Sequence, residues 1–121
     1  MHSVGVDIIE ISRVRAAIDR YGERFLTRIY TEMELKICRK KPGPLASRFA
    51  GKEAVMKALG TGIRGIAWRE IEISSERSGK PLVQLYGKAK LKADSLGLGP
   101  LAISLSDSKE YAVAIVVTET G

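Results

Sequence analysis

The chain has 121 residues, 45% of them hydrophobic, with 20 basic against 14 acidic side chains and a net charge of +6. That length suits one domain with a modest core, and no apolar run approaches the roughly 20 residues a membrane helix needs, so no membrane span is expected. The single cysteine, Cys38, excludes an internal disulfide and suits a reducing compartment, and Met1-His2-Ser3 lacks the charged-then-apolar design of a secretion signal, so a cytoplasmic location is expected.

Residues 4–11, Val-Gly-Val-Asp-Ile-Ile-Glu-Ile, read as a buried strand interrupted by an acid. Val4, Val6 and Ile8 point to one side, and Gly5, Asp7, Ile9 and Ile11 to the other. Aspartate is disfavoured in strands, and Ser12 already supplies a cap for the next helix, so Asp7 is not needed as one. That helix sets Val14, Ala17, Ile18 and Tyr21 on one face and ends at Gly22, with Arg13, Arg20 and nearby Arg15 on the other side. Such a charged face is ordinarily just solvated. Residues 22–30 form a second helical stretch, and Thr31 with Glu34 makes a capping box that opens a third towards Arg39. Arg39-Lys40-Lys41 then runs into the loop Pro42-Gly43-Pro44, with Pro44 as the first residue of a long helix.

The long helix carries the most informative stretch, residues 49–62. Phe49, Ala50, Met56 and Leu59 share an apolar stripe at helical spacing, and Glu53 falls within it. An unpaired buried carboxylate costs several kcal/mol, so Glu53 needs a partner. Lys57 stands one turn on and Gly60 close to one further turn, giving an acid, an amine and a bare backbone patch in one line. A solvated Glu–Lys pair is the bland alternative. Asp7 weighs against it, because two carboxylates from different elements in apolar surroundings suit a hard cation such as Mg²⁺.

Beyond Gly62 the pattern turns to strands. Glu70-Ile71-Glu72-Ile73 alternates, Ser78-Gly79-Lys80-Pro81 is a turn, and 82–86 returns. A basic helix over 88–96 ends at Gly97, and 101–106 with 111–118 forms a hairpin about Asp107-Ser108-Lys109. The last strand is apolar on both faces and is therefore expected at the centre of its sheet. The whole reads as a single compact α+β domain over residues 1–121, an antiparallel sheet packed with helices.

The positive charge implies an anionic partner. A non-catalytic module binding nucleic acid is the rival class. No zinc-finger spacing, aromatic RNA-binding strand or clear helix-turn-helix supports it, and the few aromatics do not interleave with a basic run. Acids in apolar positions would serve no purpose in a phosphate-backbone binder, so no nucleic acid is expected. Cys38 reads as a small packing residue rather than a nucleophile, since the one histidine is His2.

Gly5-Val6-Asp7-Ile8 with Glu10-Ile11, then Arg48-Phe49-Ala50, Lys52-Glu53-Ala54 and Lys57-Ala58-Leu59-Gly60-Thr61-Gly62, resemble the holo-acyl-carrier-protein synthases, the small phosphopantetheinyl transferases. Ile103-Ser104-Leu105-Ser106 followed by Lys109-Glu110-Tyr111-Ala112 is similar to the end of that family, so the likeness spans nearly the whole chain. It implies transfer of 4′-phosphopantetheine from coenzyme A to a serine of an acyl carrier protein, with release of adenosine 3′,5′-bisphosphate, in fatty-acid and other lipid biosynthesis. Asp7 and Glu53 would hold Mg²⁺, and Lys57 would contact the pyrophosphate and either steady or protonate the departing oxygen. The base is either Glu53 or a metal-bound water. The resemblance further implies coenzyme contacts by Arg39, Arg48, Lys57, Gly60 and Ser106, an adenine border of Gly79, Lys80 and Pro81, and carrier docking by Arg13 with Arg20. It implies a homotrimer with sites between subunits, bringing Asp7 of one chain near the Glu53 helix of another. One departure stands out: Asp107 occupies a position where many members carry a histidine, and an ionised aspartate repels a phosphate that a histidine would bind.

Overall fold

An alanine ridge organises the molecule. The computed structural model describes residues 1–60 and 65–120. In chain order these form β1 (His2–Glu10), α1 (Ile11–Tyr21), α2 (Glu23–Ile29), α3 (Glu32–Cys38) and α4 (Pro42–Leu59). A 3₁₀ turn, Trp68–Glu70, then leads into β2 (Ile71–Ser75), β3 (Pro81–Leu85), α5 (Gly87–Ser95), β4 (Ala102–Asp107) and β5 (Tyr111–Glu119). On α4, Ala46, Ala50, Ala54 and Ala58 recur every fourth residue and are all buried, so they line one face as a low ridge. That ridge lets the helix lie close against a sheet.

The sheet is antiparallel, in the order β1-β5-β4, with Asp7 opposite Ala114 and Leu105 opposite Ala114 on the other side. β5 is central, as its apolar composition predicts. Its inward residues Ala112, Ala114 and Val116 are buried beneath α4, and Ile103 and Leu105 of β4 pack beside them. β2 and β3 form a separate two-stranded antiparallel sheet, from Ile71 opposite Leu85 to Ser75 opposite Pro81. A second core lies under α1 to α3, built from Val14, Leu26, Ile29, Tyr30 and Leu45. The fold is thus α+β with antiparallel pairing throughout.

Several local expectations need correction. β1 is not buried on both faces: Val4, Val6 and Ile8 are more than half exposed, beside Val113 and Ile115 of β5. The strand has only one helical layer to cover it, so one face of the sheet is left to solvent or to a partner. Ser12 is not the cap of α1, which begins at Ile11 after an extended Glu10 with no side-chain cap. The Ile11 amide instead donates to the Glu110 carbonyl at 2.8 Å, so a neighbouring strand end satisfies it. Tyr21 lies outside the apolar stripe of α1, with the Arg20 guanidinium 5.4 Å from its ring centre. α4 starts at Pro42 rather than Pro44. Proline fits either first-turn position, because an orphan N–H is no loss there.

Other signals hold. The Thr31–Glu34 capping box is formed, with the Glu34 amide donating to Thr31 Oγ1 at 3.2 Å and the Thr31 amide to Glu34 Oε1 at 2.8 Å. Gly22 closes α1 at φ 57°, and Gly60 closes α4 in the left-handed region at φ 74°. Cys38 is buried, and burial pushes its thiol up to about 11, which suits packing rather than reactivity. Among the described residues no helix is long and apolar enough to cross a membrane.

Candidate active site

Gly5 determines how the first acid meets the second. A Cβ at Gly5 would collide with the Ala54 carbonyl and come within 3.0 Å of the Ala58 amide nitrogen. The missing side chain lets β1 lie directly on the alanine ridge of α4. Asp7, two residues on and facing the same way, is thereby pressed against the turn of α4 that carries Glu53 and Lys57. The Lys57 ammonium donates to Asp7 Oδ1 at 2.9 Å and to the Val6 carbonyl at 3.0 Å. Its partner is therefore an acid from a distant strand. The hydrogen bond to Asp7, reinforced by that carboxylate's charge, raises the lysine pKa and keeps Nζ charged.

Glu53 is half-buried beside Asp7. Desolvation first, then the charge of Asp7 and a hydrogen bond with it, pushes the Glu53 carboxyl up to about 7; Lys57 and Arg13 pull the other way. A cavity of about 460 Å³ opens at this point, with Asp7, Glu53 and Arg13 on its polar side and Phe25, Phe49 and Trp68 on the other. The aromatic rings stack in series, Phe49 on Trp68 with centroids 4.9 Å apart and Phe25 on Phe49 at 6.4 Å. Arg13 thus faces the acids as well as solvent.

The Asp7 carboxylate raises the proton affinity of Glu53, and a divalent cation between the two would relieve that repulsion. Among the described residues no group of three or more potential metal ligands occurs. The donor set therefore fits a cation that takes two carboxylates and completes its shell with water or phosphate oxygens, which is the habit of Mg²⁺.

A second, smaller cavity of about 210 Å³ lies at the start of α4, among Pro44, Ser47, Arg48, Gly79, Pro81 and Asp107. It brings together Arg48, Gly79 and Pro81, three residues for which the family resemblance implies one ligand. The Arg48 side chain reaches β2, donating from Nη2 to Ser75 Oγ at 3.0 Å and from Nε to the Ile73 carbonyl at 3.4 Å. Asp107 fits because residue 43 has no side chain: a Cβ there would stand 2.7 Å from Asp107 Oδ2.

Other candidates are not gathered into either cavity. Arg39 is the left-handed cap of α3 at φ 49°, exposed beside Lys40, which pairs with Glu23 at 3.3 Å. Lys80 is exposed in the β2–β3 turn, Ser106 is exposed on the outward face of β4, and Arg20 is exposed on α1. Gly60 serves as the helix cap, which accounts for its conformation. Thr61 and Gly62, which end the motif, lie outside the described residues.

A buried ion pair outside both cavities is not foreshadowed by the sequence reading. Lys52 is fully buried, and its ammonium reaches Glu34 Oε1 at 2.8 Å, the Trp68 carbonyl at 3.1 Å and the Ile71 carbonyl. Burial lowers its pKa and Glu34 opposes the shift. A lysine inside the alanine ridge's own helix, between Gly51 and Glu53, was the available signal.

Residues 3–116 match the family model of the 4′-phosphopantetheinyl transferase superfamily. The chain belongs to that superfamily. It is 47% identical over 120 residues to the holo-[acyl-carrier-protein] synthase of Herpetosiphon aurantiacus, covering 93% of this chain and 94% of the relative. The synthase of Moorella thermoacetica is 46% identical over 123 residues, with 99% and 95% covered. Among solved structures, a Helicobacter pylori holo-[acyl-carrier-protein] synthase in complex with coenzyme A superposes with TM-score 0.88 at 33% identity, covering 96% of this chain and 99% of that one. That of Neisseria meningitidis superposes with TM-score 0.84 at 38% identity, with 97% of each covered.

For this phosphopantetheinyl transferase one expectation is overturned by the geometry. Asp7 does not come from one chain to meet Glu53 of another. A single chain presents both, because Gly5 docks β1 on its own α4 and Lys57 ties the two together.

Proposed function

We propose that this protein transfers the 4′-phosphopantetheine group of coenzyme A to a serine of an apo acyl carrier protein and releases adenosine 3′,5′-bisphosphate. The observation that carries the reading is the cluster of Asp7, Glu53 and Lys57, whose two carboxylates line one cavity while the lysine is bonded to Asp7. The serine oxygen attacks the pantetheine-side phosphorus, the P–O bond to the nucleotide breaks, and the hydroxyl proton is given up. A hydroxyl is a poor nucleophile and a pyrophosphate repels it, so catalysis must come from positioning and charge neutralisation.

Asp7 and Glu53 would hold Mg²⁺, which when bound neutralises charge on the pyrophosphate. Lys57, charged and half exposed beside Asp7, would contact the leaving phosphate oxygens. Glu53 lines this cavity as one candidate to take up the serine proton, and a water in the shell of the cation is the other. Arg48, Gly79 and Pro81 would receive the nucleotide end. Asp107 faces that cavity too, so a 3′-phosphate is better served by Arg48 or by outlying Arg39 and Lys80. Arg13, beside the acids, would dock the negatively charged carrier near its serine, with Arg20 further along α1. An Arg13→Ala change that left carrier affinity untouched would remove that role.

A homotrimer is the assembly we favour. Val4, Val6 and Ile8 with Val113 and Ile115 make an apolar sheet face whose exposure is costly in a free subunit. Analytical ultracentrifugation showing a monomer at micromolar concentration would contradict it. The cytoplasm, where coenzyme A and carrier protein meet, is the compartment this reading implies.

The overall test is direct. Incubation with coenzyme A and apo carrier protein should add one phosphopantetheine mass to the carrier and release the nucleotide in equal amount, and a chelator should stop both. A carrier of unchanged mass, with steep salt-dependent binding to nucleic acid instead, would favour the rival basic module.

A further inference from the structure

Among the described residues, β2 has a strand on one side only. Residues 72 and 74 direct their backbone groups to β3, while 71, 73 and 75 turn away from it, towards α3 and α4. A buried strand edge would leave orphaned donors and acceptors, each costly. Here side chains take the place of the missing strand. Lys52 Nζ donates to the Ile71 carbonyl, the Ile73 amide donates to Glu34 Oε2 at 2.8 Å, and Arg48 Nε donates to the Ile73 carbonyl at 3.4 Å. Lys52 also holds the Trp68 carbonyl, just before the strand, and Glu34 Oε1 accepts from both Lys52 and the Thr31 amide.

The Lys52 ammonium is fully used in this clamp. The ammonium has three protons and three acceptors, and among the described residues no buried side-chain polar atom lacks a partner. An apolar pair of the same volume could fill the space but could not hold the strand edge. Successive residues of α4 thus serve different walls, Lys52 the β2 edge and Glu53 the acidic cavity.

We propose that the buried Glu34–Lys52 pair is a positioning device for coenzyme binding, fixing the β2–β3 hairpin on α4 so that Gly79 and Pro81 stand opposite Arg48. This rests on the assignment of the second cavity to the nucleotide end of coenzyme A. Lys52 touches no substrate and acts through the strand. The hairpin turn lies just past Ser75, the last point held by Arg48, so a shift of β2 along α4 moves both walls of that cavity relative to each other. Asp7, Glu53 and Lys57 sit on the β1 side of the helix and keep their geometry.

The test is calorimetric and kinetic on the intact protein, comparing wild type with Lys52→Met. The variant should weaken both coenzyme A and 3′,5′-ADP by a similar factor, about tenfold, and raise KM for coenzyme A alike. KM for the carrier and kcat at saturating coenzyme should stay within about twofold. A purely structural role would lower the melting temperature and the active fraction without moving either affinity, and that result overturns the proposal. Equal loss of kcat with unchanged KM also overturns it. If Lys52→Met does not fold, the Glu34→Gln/Lys52→Met pair, which removes both charges, replaces it in the same measurements. Failure of the wild type itself to bind coenzyme A would instead sink the underlying assignment, and this inference with it.

Discussion

Gly5 and the carbonyl of Ala54 stand so close that no side chain can occupy position 5. That contact turns a common strand motif into a catalytic arrangement, because the same approach sets Asp7 against Glu53 and Lys57. Gly5→Ala must push β1 off α4 or bend the helix. Overpacking of this kind costs about 1–3 kcal/mol, readable as a lower urea midpoint, and turnover should fall with it. A Gly5→Ala protein as stable and active as wild type would show that the close approach is not required.

Lys57 offers a cleaner separation of stability from chemistry. Its ammonium lies at the surface end of the Asp7 pair, and exposed pairs contribute little to folding. Lys57→Met should therefore keep the melting temperature of wild type while lowering kcat by about 10²–10³-fold, the usual cost of removing one charge-stabilising donor. Loss of thermal stability in step with activity would assign Lys57 to the fold instead.

Glu53 gives a pH dependence with a definite sign. Its carboxyl has an ordinary value of 4.5 and is pushed up to about 7 in the folded protein. Between those values the folded state binds more protons than the unfolded one, so stability falls as pH rises through that window. In metal-free protein the melting temperature should drop from pH 5 to pH 8 more for wild type than for Glu53→Gln, which has no proton to lose. Identical slopes would mean that Asp7 and burial do not act on Glu53 as described.

Much of this was legible in the sequence, for identifiable reasons. The Thr31–Glu34 box, Gly22 and the central position of β5 follow from local chemistry that tertiary structure did not override. The pairing of Asp7 with the Glu53 helix was suggested by two acids in apolar settings, but spacing could not say that one chain supplies both. The bland alternative, a solvated Glu53–Lys57 pair by the i, i+4 rule, is not what forms: the Lys57 ammonium goes to Asp7 and the Val6 carbonyl. The rule describes an isolated helix, and here a strand lies within reach of the same side chain. Ser12 failed as a cap because the Glu110 carbonyl already meets the first amide. The Glu34–Lys52 clamp was invisible for a similar reason, since Glu34 had a sufficient local role and its second partner stands 18 residues away along the chain.

The central claim is that Asp7 and Glu53 together hold a divalent cation, and Mn²⁺ binding followed by electron paramagnetic resonance tests it without reference to turnover. In the presence of coenzyme A, wild type should bind one ion per subunit, with Asp7→Asn and Glu53→Gln each weakening it by about 10–100-fold. Affinity should also rise with pH through about 7, as the metal displaces the Glu53 proton. Unchanged Mn²⁺ affinity in both folded variants would contradict the account.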